Sequence, residues 1–199
     1  PYMLIFLTFL TDFMRLKLLI FLVIVVAEIA SGYAGFWQGV YLFKPLIMLS
    51  LLFWTSDYRK SYPYLWIGMW FGLGGDIFLM IREKDLFVAG LGSFLVMQIF
   101  YIIAFSKTLT PTGKAQLRST WWWLTLPFAL YALIFLVILY SPITQSADKQ
   151  GLWGPVVAYS ICLCAMGAAA ALRKGSVNST SYAWGLVGAV LFIASDSGI

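Results

Sequence analysis

The sequence reads as an all-α, polytopic membrane protein, a helical bundle with seven visible spans. Three observations carry that reading. Hydrophobic residues make up 62% of the chain and charged residues 11%, whereas soluble domains carry roughly 25% charged residues. Seven mostly apolar runs, at residues 17–36, 38–55, 64–81, 86–106, 121–140, 152–172 and 182–199, approach or reach the roughly 20 residues that cross a bilayer. None of them alternates polar and apolar residues, as the strands of a membrane barrel must.

Residues 1–15 precede the first run as an N-terminal extension or a fragment edge. The apolar stretch 1–10 is too short to span and is separated from the first run by Thr11, Asp12 and Arg15. Residues 16–199 form a single transmembrane helical domain. The first span carries Glu28, either a carboxylate reaching the outer interface or part of a buried site. The second holds Lys44 and Pro45, with the Pro expected in the first turns, where its missing N–H costs least. Lys44 is either an interface anchor or a buried cation.

In the third span Gly68, Gly72, Gly75 and Asp76 follow the spacing of one helical face. The glycines fit close helix packing. The acid is a different matter, because a carboxyl deep in a bilayer is costly enough to mark a functional site. The fourth span places Gln98 and Tyr101 three residues apart on a shared face. Residues 107–120, with Pro111 and Gly113, read as a loop between a first half, 16–106, and a second half, 121–199. Trp121, Trp122 and Trp123 open the fifth span as an interfacial anchor, and Tyr159 lies in the sixth.

The seventh span repeats a pattern of the third. Gly188 precedes Asp196 by the spacing that separates Gly68 from Asp76, and Ser181-Tyr182 stands upstream as Ser61-Tyr62 does, the two acids being 120 residues apart. This points to a parallel 4+4 repeat with an eighth span beyond residue 199.

Charge placement orients the chain. Arg15, Lys17, Arg59, Lys60, Lys107, Lys114, Arg118, Arg173 and Lys174 flank one side, while Arg82, Lys84 and Lys149 flank the other. The positive-inside rule then puts the amino end in the cytoplasm; if the source is bacterial, the membrane is the inner or plasma membrane. No basic cluster interleaved with aromatics stands outside the spans, so nucleic acid is not an expected partner. Cys162 and Cys164, two apart on a helix, point to nearly opposite sides and read as packing residues. The chain has no His, which argues against zinc, haem and Ser-His-Asp chemistry; no cofactor and no metal are expected.

On this topology Glu28, Lys44, Asp76 and Asp196 fall at similar depth. Two carboxyls close together in low dielectric do not both ionise readily, so one keeps its proton near neutral pH and the pair supplies an acid and a base. Mid-membrane carboxyls on repeated halves also describe a proton-coupled transporter of a small molecule or lipid.

The ordered motifs narrow the choice. Lys44-Pro45-Leu46, Gly75-Asp76, Gly90-Leu-Gly-Ser-Phe-Leu with Tyr101-Ile-Ile-Ala-Phe105, and Gly188-Ala-x-Leu-Phe-x-x-Ser195-Asp196-Ser197 together resemble the YhhN-like lysoplasmalogenase family over roughly residues 16–199. The resemblance implies an eight-helix membrane enzyme that hydrolyses the vinyl ether of lysoplasmalogens, with a lysophospholipid substrate drawn from the membrane. It implies Asp76 and Asp196 as the catalytic acids. Glu28, Lys44, Gln98, Tyr101, Tyr159 and Ser195 are the accompanying candidates for substrate binding or tuning. Gln98 stands where family members often have His, so any chemistry that His performs must be done otherwise here.

Overall fold

A computed structural model describes residues 2–81, 84–146 and 151–197. Arg82, Glu83 and Lys149, which the sequence puts on the outer side, lie outside the described residues, as does Pro1. Among the described residues there are eight α-helices: α1 Tyr2–Tyr33, α2 Trp37–Thr55, α3 Pro63–Met80, α4 Lys84–Lys107, α5 Pro111–Leu117, α6 Trp121–Thr144, α7 Trp153–Ala171 and α8 Ser179–Asp196. No strand occurs among the described residues. By length and composition, five segments among the described residues suit a membrane crossing: Arg15–Tyr33, Trp37–Tyr58, Leu86–Lys107, Trp121–Thr144 and Trp153–Ala171. Helices α3 and α8, 18 residues each, fall outside that group because glycines and an acid dilute their apolar content. The protein is a helical membrane bundle.

Two compact units divide within α4, at residues 1–90 and 91–199. In the first, α1 packs on α2 and α2 on α3; in the second, α6 packs on α7 and α7 on α8.

Local chemistry sets the ends of the helices. Helix α1 stops in a Schellman turn, in which Gly35 takes φ +67° while the Phe36 N–H donates to the Ser31 carbonyl at 2.9 Å and the Gly35 N–H to that of Gly32 at 3.2 Å. Only glycine adopts that φ without steric cost. Pro63 opens α3 at a position where its absent N–H has no helical partner to lose. The Asn178 side chain caps α8 by accepting the Ser181 N–H at 2.7 Å.

Three expectations are corrected here. Helix α1 runs unbroken from Tyr2, since Thr11, Asp12 and Arg15 are compatible with helix even where they are not apolar. The stretch 107–120 is not all loop: Pro111 at the first position and the Thr110 hydroxyl, which accepts the Gly113 N–H at 3.1 Å, nucleate α5. Because α2 begins at Trp37, Pro45 lies inside that helix rather than in its first turn. The Tyr41 carbonyl there has no i+4 N–H to accept.

The second unit closes on Gly167, where α6, α7 and α8 approach each other. A Cβ at Gly167 would sit 2.5 Å from Phe128 Cε1 and 2.7 Å from Ile193 Cδ1. Leu163, Met166 and Ala170 on α7 and Ile193 on α8 are buried with it. Gly167→Val is therefore expected to destabilise the unit by about 1–3 kcal/mol, the usual cost of overpacking a filled core. A thermal melt of the purified protein in detergent checks this; an unchanged melting temperature would show that the three helices separate freely at this level.

Candidate functional site

The first unit presents the glycine face largely as the spacing requires: Gly68, Gly72 and Gly75 are buried and Asp76 is half-buried on α3. Asp76 is not without a partner. Glu28 is half-buried on α1, and Lys44 is exposed on α2.

The second unit gathers three of the sequence candidates. Tyr159 projects from the second turn of α7 and is 8% exposed. Its hydroxyl donates to Oδ2 of Asp196, the last residue of α8. Gln98, on α4, is wholly buried and its amide lies beside the Tyr159 hydroxyl. No hydrogen bond of normal geometry links them, and neither Oε1 nor Nε2 of Gln98 has a partner among the described residues. The apolar surroundings come from the same helices: Phe94 of α4 meets Phe192 of α8 edge to face, with ring centroids 6.3 Å apart. The result is a carboxyl held in one orientation by a phenol, beside an amide with both of its polar atoms open.

Tyr101 is half-buried one turn along α4, its ring tilted against Phe105 at 6.4 Å. Ser195 is exposed. Its neighbour Ser197 makes the contacts instead, donating to the Ile193 carbonyl at 2.6 Å and pairing with the Tyr131 hydroxyl of α6. Tyr131 carries no sequence signal of this role, since it sits in a span otherwise uniform in character. Ser197 had one, as the last residue of the motif around Asp196.

The glycines of the two matched stretches differ in their surroundings. Gly68 is buried, whereas Gly188 is exposed, with open space where a Cβ would project. Ser61 lies in the turn before α3, while Ser181 sits inside the first turn of α8.

These features define a class: a multi-helix membrane protein with carboxyls on short glycine-bearing helices, one of them clamped by a buried tyrosine. More narrowly, the chain belongs to the YhhN family, whose model matches residues 39–199, more than half of its length. That stretch contains Lys44, Asp76, Gln98, Tyr101, Tyr159, Ser195 and Asp196. It begins in α2 rather than at residue 16, so Glu28 stands outside it. Searches of curated proteins and of solved structures give no significant match.

Proposed function

We propose that this protein is a membrane-embedded hydrolase that cleaves the vinyl ether bond of lysoplasmalogens to a fatty aldehyde and glycerophosphoethanolamine or glycerophosphocholine. Membership of the YhhN family supports the reading at the level of the family. The observation that carries it to residues is the Tyr159–Asp196 pair, in which a buried phenol holds a half-buried carboxyl.

The chemistry asks for two carboxyls. One delivers a proton to the alkene carbon remote from oxygen; the C=C π pair forms the new C–H bond and leaves an oxocarbenium ion at the carbon bearing oxygen. The other carboxylate faces that cation and takes a proton from the attacking water. The hemiacetal then collapses: its hydroxyl gives its proton to the first carboxylate, the second carboxyl hands the proton it took from water to the departing glycerol oxygen, and aldehyde and glycerol hydroxyl leave with both carboxyls restored. This is the division of labour of paired glycosidase acids. Asp76 and Asp196 take these roles in the proposal, and Tyr159 keeps the Asp196 carboxylate from rotating away. The basic flanks favour a cytoplasmic amino end in this reading.

Purified protein incubated with lysoplasmenylethanolamine should release aldehyde, followed by a coupled reductase assay. Asp76→Asn should lower the rate by roughly 10²–10⁴-fold, the usual worth of a general acid or base. Equal rates in the two proteins would remove Asp76 from the chemistry. Proton-coupled uptake into liposomes with no aldehyde formed would make the protein a transporter.

A further inference from the structure

A second site lies in the first unit, at the turn between α2 and α3. Thr55, Tyr58, Tyr62, Leu65, Trp66 and Met69 line a hollow of about 230 Å³. Pockets for drug-sized ligands run from about 300 Å³ upward, so this one suits a small group rather than a whole lipid. Its floor is Met69, 8% exposed, and its rim carries Tyr58 and Tyr62, 51% and 55% exposed.

Three properties fix the chemistry of the occupant. The lining is almost wholly apolar and supplies three aromatic rings, an environment that attracts organic cations through the ring quadrupoles. A primary ammonium would shed water there with little to replace it, whereas a trimethylammonium has no donors to satisfy. The Trp66 Nε1–H is buried and has no acceptor among the described residues; as a donor only, it can serve an oxygen that a ligand brings. Arg59 and Lys60 follow Tyr58 directly in the chain and are exposed, so positive charge waits beside the hollow for an anion. A cation and an anion are thus wanted side by side, in a turn between two apolar helices where lipid head groups lie.

We propose that this hollow binds the phosphocholine head group of a membrane lipid, with the trimethylammonium among Tyr58, Tyr62 and Trp66 and the phosphate toward Trp66 Nε1 and the Arg59–Lys60 turn. The site is independent of Asp76 and Asp196 and holds whether or not a vinyl ether is cleaved.

Calorimetric titration of the full chain in maltoside detergent tests it, using dihexanoyl lipids with phosphocholine, phosphoethanolamine and phosphoglycerol head groups, and glycerophosphocholine. The phosphocholine lipid should bind roughly tenfold tighter than the other two lipids, and glycerophosphocholine more weakly still. Replacing both rim residues, Tyr58→Leu with Tyr62→Leu, should erase the preference; both are exposed, and a melting curve verifies the fold. Trp66→Phe keeps a ring and removes the N–H. It should weaken phosphocholine binding about fivefold while leaving choline favoured over ethanolamine. Equal binding of the phosphocholine and phosphoethanolamine lipids by wild type, or an undiminished preference after the double replacement, overturns the proposal. Glycerophosphocholine binding as tightly as the lipid would reassign the hollow to a soluble ligand and overturn it as well.

Discussion

Asp196→Asn is expected to cut aldehyde release by about 10²–10⁴-fold, the span associated with loss of a positioned acid or base. The amide keeps the size of the carboxyl, and its oxygen can still accept from Tyr159, so the contact between α7 and α8 survives while the proton chemistry does not. Tyr159→Phe separates the two functions. It leaves the carboxyl in place but frees it to turn, and losing one hydrogen bond to a charged group, about 1.5–3 kcal/mol, corresponds to roughly 10–100-fold in rate. Rates measured beside melting curves distinguish chemistry from folding. If the Asn variant turns over within about threefold of wild type, Asp196 serves only to join the two helices.

The second large effect is expected on stability, at Arg173. The guanidinium is 7% exposed and ties three segments together. Its Nε donates to Thr108 Oγ1 at 3.2 Å, just beyond α4, and its Nη2 to Ser181 Oγ at 2.8 Å, at the start of α8. Its Cζ stacks over the Phe105 ring at 5.1 Å. Gly185 leaves the space Nη1 occupies, since a Cβ there would collide with it. Arg173→Met fills the hollow but orphans the hydroxyls and forfeits the cation–π contact, so it should cost about 2–4 kcal/mol. Arg173→Lys, without the planar fork, should recover only part of this. Thermal or denaturant unfolding in detergent measures both, and melting indistinguishable from wild type in both variants would show that the clasp carries no weight.

The sequence marks the spans closely because the hydrocarbon core leaves little choice. Residues 38–55, 64–81, 86–106 and 152–172 map onto α2, α3, α4 and α7 within one or two residues. Composition alone supplies that much. It does not supply partners. Arg173 and Lys17 read as members of a basic flank, and counting charges cannot distinguish a solvated base from one drawn under a neighbouring helix. Lys17 is 3% exposed, and its neighbours Asp57 and Phe53 are far from it in the chain. Likewise the face shared by Gln98 and Tyr101 follows from helical periodicity, yet the meeting of Gln98, Tyr159 and Asp196 depends on how α4, α7 and α8 pack. Helix α5 escaped a reading tuned to long apolar runs, because its signal is a Thr-Pro cap.

The Lys17–Asp57 ion pair, 3.1 Å between Nζ and Oδ2 with the ammonium also 4.8 Å from the Phe53 ring centroid, bears on biogenesis. The residues are 40 apart in sequence, and they fasten the start of the first span to the end of the second. As soon as Asp57 has been synthesised, α1 and α2 can close into a latched hairpin, with the ammonium neutralised before later helices arrive. The latch closes entirely within the first two spans, and α3 packs on that hairpin through α2.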